Sequence, residues 1–153
     1  MAPVPRLLVV TVVGCGLVLA GCARSVAVDP PASPDPQVLA ACTALHAALP
    51  AELSTVGERR EVTPESPLTA AYGDPPVGVR CGVAEPVGLA ADALLVTVDD
   101  VDWFAQELSN GWRLTTVERV AAVEITVDEV HGPAPSVAAD LTPAISATIP
   151  PAR

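Results

Sequence analysis

Apolar and polar residues alternate along the second half of the chain, and a helical stripe precedes them. Val77, Val79, Cys81 and Val83 alternate with Gly78, Arg80 and Gly82, the period-two pattern of a strand with one buried face. Leu94, Val96 and Val98 predict a second strand, and Val101, Trp103 and Ala105 a third. Trp112, Leu114 and Thr116 predict a fourth, and Ala121, Val123, Ile125 and Val127 a fifth, its polar neighbours being Glu124, Thr126 and Asp128. Asp99-Asp100 and Asn110-Gly111 fall between these runs as tight turns, so consecutive strands pair as hairpins. Upstream, Val38, Leu39, Cys42, Leu45 and Leu49 recur at helical spacing. Asp35 is placed to cap that helix, Pro36 to occupy its first position, and Pro50 to end it. Downstream, Val137, Leu141, Ala144 and Ile145 predict a weak closing helix that Pro143 confines to short turns. The expected fold is α+β: a mostly antiparallel sheet of about five strands, with both helices on one face.

The amino-terminal residues carry a different pattern. Arg6 precedes an uncharged apolar run from Leu7 to Ala20. Its 14 residues would span about 21 Å as a helix, short of a hydrocarbon core of roughly 30 Å. A signal peptide fits that length, and small residues close it. Leu19-Ala20-Gly21-Cys22 resembles the lipobox of bacterial lipoproteins, where cleavage precedes a cysteine already carrying diacylglycerol. Residues 1–21 are therefore predicted to be removed and Cys22 to be lipidated, placing the protein on the extracytoplasmic face of the cell membrane. Acyl chains joined to one residue hold a protein stably, whereas one chain gives marginal binding. Residues 23–35, ARSVAVDPPASPD, lack periodicity and predict a tether behind the lipidated cysteine. At the ~3.1 Å rise of polyproline II it would reach about 40 Å. A single domain is expected over 36–149, followed by a frayed tail at 150–153.

The cysteines agree with export. Of Cys15, Cys22, Cys42 and Cys81, the first leaves with the signal peptide and the second is consumed by lipid. Cys42 and Cys81 remain, each on the apolar side of its element, so they are expected to pair in an oxidising compartment. The formal charge is −10, and every basic residue is Arg. Such acidity argues against a nucleic-acid partner and against lying flat on anionic headgroups.

Candidate chemistry is sparse. Asp99, Asp100 and Asp102 with Glu107 do not match a calcium loop, since Phe104 stands where an oxygen ligand belongs and no glycine follows. His46 and His131 have no ligand-spaced partners, no G-x-S-x-G is present, and Cys42 and Cys81 are not a C-x-x-C pair. No catalytic residue, metal or cofactor is assigned. Arg59, Arg60 and Arg80 can form a small basic patch for a carboxylate or phosphate, in competition with neutralisation by Glu58 and Glu61. Trp103 and Phe104 point to opposite faces of a strand, which leaves one of them, with Trp103 the candidate, to anchor a partner. The expected function is a lipid-anchored, non-enzymatic module that binds or scaffolds an envelope protein or glycan. The alternative is an accessory factor or carboxylate-based enzyme of cell-wall metabolism using Asp74 or the Asp99–Asp102 group.

Cys42-Thr43-Ala44-Leu45, Ala48-Leu49-Pro50, Arg59-Arg60, Gly73-Asp74-Pro75-Pro76, Val79-Arg80-Cys81-Gly82-Val83, Val101-Asp102-Trp103 and Leu114-Thr115-Thr116-Val117 together resemble a family of secreted actinobacterial lipoproteins. Its shared domain, of the DUF 3515 type, has no assigned function. The resemblance covers most of the chain after Cys22 and implies an envelope lipoprotein without implying an activity or a ligand. Asp99-Asp100 departs from the Asn-Gly common in that family, which marks the position as chiefly a turn.

Overall fold

A computed structural model describes residues 24–32, 34–90 and 92–152. The expected signal peptide, Cys15 and Cys22 lie outside these residues. In chain order the elements are β1 (Val26–Ala27), α1 (Pro36–Ala48), β2 (Glu52–Leu53), β3 (Gly57–Arg60), β4 (Val62–Thr63), β5 (Thr69–Tyr72), β6 (Val77–Val83), β7 (Leu95–Val98), β8 (Val101–Leu108), β9 (Gly111–Thr116) and β10 (Ala122–Asp128). A 3-10 turn at Glu129–His131 then leads into α2 (Ala134–Thr148).

Eight strands form one antiparallel sheet in the order β2-β3-β5-β6-β10-β9-β8-β7. The α+β class is as expected, with more strands than the alternating pattern predicted. Thr69–Tyr72 was invisible to that pattern because all four of its residues are buried. β10 inserts between β6 and β9, so the chain's last strand lies near the middle of the sheet. Both hairpins form near the expected turn residues: Asp99 takes a left-handed φ of 52° between β7 and β8, and β8 pairs with β9 across Ser109-Asn110, one residue earlier than Asn110-Gly111, with Gly111 opening β9 opposite Leu108. Gly73, φ 65°, opens the β5–β6 hairpin, where a Cβ would collide with the carbonyl oxygen of Val56.

Both helices pack on one face of the sheet and against each other. Asp35 caps α1 by accepting hydrogen bonds from the backbone N–H groups of Gln37 and Val38 at 2.9 and 3.0 Å. Cys42 and Cys81 form a disulfide between α1 and β6, with 5.6 Å between their Cα atoms, and both are buried. The closing helix is longer than expected: α2 runs through Pro143 for 15 residues. Its buried side carries Val137, Ala138, Leu141, Ala144 and Ile145, while Pro143 and Ala139, whose carbonyl loses its donor, are exposed to water. Burial of the stripe outweighs one lost hydrogen bond on the wet side.

The flanking segments also depart from expectation. Residues 24–29 lie along the domain over the stretch read as tether. β1 pairs in parallel with β4, Val28 is buried, and the guanidiniums of Arg60 and Arg80 donate to the carbonyl oxygens of Arg24 and Asp29 at 2.9 and 3.0 Å. At the other terminus Ala152 N–H donates to Glu118 O at 2.7 Å, and Val120 N–H to Pro150 O at 3.0 Å. Both segments satisfy their backbone on neighbouring chain rather than on water.

Candidate functional site

Because the helices cover one face, the side chains alternating with the core residues project from the other. Register places Arg80, Glu124 and Thr115 in one row across β6, β10 and β9. The next row holds Gly78, Thr126, Arg113 and Gln106. Over these rows lies an open groove of about 610 Å³. Arg80, Arg113, Glu124, Thr115 and Gln106 make its floor, and Pro31, Ala32, Pro34 and residues 82–87 contribute its walls.

Glu124 organises the floor. Its side chain is only 13% exposed, and its two carboxylate oxygens face different arginines: Oε1 accepts from Arg80 Nη1 at 2.9 Å, and Oε2 lies 3.4 Å from Arg113 Nε. The second pair is close enough for Coulomb attraction but makes no hydrogen bond, which leaves Arg113 Nε buried without one. Thr115 Oγ1 is buried beside it, likewise without a partner. Gln106 donates through Nε2 to Val87 O at 3.1 Å, tying the wall to the floor. On the floor two cations flank one carboxylate, the groove's second carboxylate, Glu85, standing in the wall, and Arg113 makes no ion pair other than that with Glu124. An oxyanion or a polar hydroxyl is the complement such a floor can receive.

The residues singled out from the sequence are distributed differently. Trp103 is wholly buried in the core on the helix side of the sheet, and the exposed tryptophan is Trp112, 41% accessible. Trp103 is therefore excluded as a surface anchor: its register with Thr116 places it under α2 rather than at an edge. Arg59, Arg60 and Arg80 do not form one patch. Arg59 pairs across the sheet with buried Tyr72 on the helix side, where it donates to His46 O at 3.2 Å and lies 2.6 Å from His46 Nε2. Arg60 turns to the other face and donates to Gly73 O at 2.8 Å and to Arg24 O. Neither is neutralised by Glu58 or Glu61; carbonyl oxygens and a ring nitrogen take that role. Only Arg80 belongs to the groove.

The carboxylates proposed for chemistry lie apart. Asp74 sits in the β5–β6 hairpin at one end of the sheet, and Asp99 and Asp100 in the β7–β8 hairpin at the other. Asp100 accepts from Ser146 Oγ at 2.6 Å and from Arg119, and these hydrogen bonds, led by that from Ser146, hold its carboxyl below the usual range. Asp102 accepts from Thr97 Oγ1 at 2.6 Å. His131 Nε2 lies 2.7 Å from Pro75 O. Among the described residues no group of three His, Cys, Asp or Glu side chains is placed to hold a metal ion.

His46 titrates below its ordinary 6.5, first because it is partly buried and second because Arg59 stands beside it. The folded protein therefore binds this proton less readily than the unfolded chain. Its contribution is complete above pH ~6.5 and is lost as pH falls through the lowered folded value. Thermal unfolding should shift to lower temperature between about pH 7.5 and about pH 5.5, and His46→Gln should remove part of that slope. An unchanged slope in the variant would assign the acid sensitivity to carboxylates instead.

An antiparallel sheet with both helices on one face and a charged groove on the other defines an α+β domain. The sequence places it in a family: the chain belongs to that described as "Protein of unknown function (DUF3515)", whose model matches residues 2–153. No curated protein and no solved structure matches it.

Proposed function

We propose that the protein is an exported, lipid-anchored binding module of the cell envelope, which takes its ligand in the groove opposite the helices. Residues 1–21 are its signal peptide, the lipid sits on Cys22, and the partner is an envelope protein or glycan rather than nucleic acid. The address is supported by the apolar run Leu7–Ala20 ending at Leu19-Ala20-Gly21-Cys22, and by a bridge that uses both remaining cysteines. The binding role rests on one observation: in the floor of a groove of about 610 Å³, Arg113 Nε and Thr115 Oγ1 are buried without a hydrogen bond, Arg113 having only its 3.4 Å ion pair with Glu124. Buried polar groups without partners are costly, and a ligand oxygen relieves that cost. A binding rather than catalytic role is supported by the floor carboxylate, Glu124, being shared by two arginines, while the groove's other carboxylate, Glu85, sits in its wall.

Intact mass of the membrane-extracted protein, with and without reductant, tests the lipid on Cys22 and the Cys42–Cys81 bridge together. For the groove, a photo-crosslinking side chain at Val87 in intact cells should yield a discrete adduct. Arg113→Gln with Thr115→Val should abolish it while leaving the folded domain intact by circular dichroism. An adduct indifferent to both substitutions would remove the groove from the function.

A further inference from the structure

The amino-terminal segment is fastened to the fold almost up to the residue that carries the lipid. Arg60 grips two carbonyls with one guanidinium, Gly73 O through Nη1 and Arg24 O through Nη2. Arg24 is therefore held beside the β5–β6 hairpin, and the chain then rises through β1 to Asp29, bonded by Arg80. Cys22 precedes Arg24 by only two residues of sequence. A tether that could reach some 40 Å as free polyproline II is thus shortened by docking to almost nothing.

The same end of the sheet gathers the 3-10 turn and the β8–β9 turn. His131 Nε2 contacts Pro75 O in the hairpin, and Glu129 N–H donates to Asn110 O at 3.0 Å. Val130 and Trp112 flank that last bond, one residue beyond Glu129 and two beyond Asn110. They are 68% and 41% exposed. Tryptophan favours the interfacial zone of a bilayer, where its ring is half in apolar surroundings and its N–H stays wet.

We infer that the domain sits end-on against the bilayer that holds its lipid, with Trp112 and Val130 in the interface and the groove standing clear along the side of the sheet. The inference rests on the lipid being at Cys22. The occupant of this end is the membrane surface itself, and a neutral one: Asp74, Asp128 and Glu129 lie at the same end and oppose anionic headgroups. Docking costs little entropy, because the lipid has already brought the surface within reach.

The two tryptophans make this directly readable. Protein purified with its own lipid is placed in phosphatidylcholine vesicles with or without bromine on the acyl chains. Emission from Trp112 should shift to the blue and be quenched by the brominated chains, and Trp112→Phe, leaving only the buried Trp103, should lose both effects. Val26→Pro, which removes the N–H that donates to Glu61 O at 2.8 Å, should weaken the quenching by lengthening the leash. Quenching that survives Val26→Pro unchanged would overturn the role of the docked segment. Protein whose mass shows the lipid and which floats with the vesicles, yet is not quenched, would overturn the end-on contact while leaving the anchor in place. A mass without lipid on Cys22 would remove both.

Discussion

Replacing Cys42 and Cys81 together by Ala is expected to lower the unfolding free energy by roughly 4 kcal/mol, the value the chain-entropy model assigns to a loop of this size. The bridge spans 39 residues of sequence and joins the first helix to a central strand. Without it, α1 is held to the sheet by a short apolar stripe in which only Cys42 and Leu45 are buried. A domain of this length has a net stability of about 5–15 kcal/mol, so the bridge supplies a large share. In denaturant the midpoint should fall markedly, and the same fall should follow reduction of the native protein. A loss below about 1 kcal/mol would mean that the unfolded chain is already compact between these positions.

Trp103→Ala is expected to cost about 3–5 kcal/mol, the range for emptying a buried aromatic site. Trp103 is the largest fully buried side chain, set among the apolar residues of the core cluster. Trp103→Phe should cost much less, for two reasons. It leaves a smaller cavity, and it removes an indole N–H that has no acceptor in the core. Equilibrium unfolding of the two variants checks the order. If Ala were tolerated, the tryptophan would not be the centre of the core.

The fold was legible wherever one face of an element is buried and the other is wet. β6 through β10 alternate in the sequence because the helices cover one side and the groove the other. The same rule hides β3 and β5. Gly57–Arg60 carries two arginines whose partners are carbonyls and a histidine, and Thr69–Tyr72 is buried on both sides. α2 exceeds its sequence expectation because Pro143 faces water, which the local pattern does not encode. Arg80 could be singled out from the sequence, but Arg113, Thr115 and Glu124 read there as ordinary outward positions. They become a candidate site only through the insertion of β10 between β6 and β9, a long-range pairing, and through walls lent by Pro31, Ala32, Pro34 and residues 82–87. Trp112 and Trp103 were exchanged for a similar reason. Strand alternation tells which side chains share a side, but not where the covering helix ends.

The short parallel pairing of β1 with β4 gives the molecule a definite mechanical order. A pull on the amino-terminal end strains first the hydrogen bonds from Val26 and Val28 to Glu61 and Thr63 and those made by Arg60 and Arg80. Once these part, the chain from Arg24 can pay out, and α1 can unwind, only as far as Cys42, a length of roughly 60 Å at full extension. There a covalent bond into β6 stops the unravelling. The protein thus combines a breakaway strap with a fixed stop, and tension on its amino-terminal end is absorbed before the sheet is disturbed.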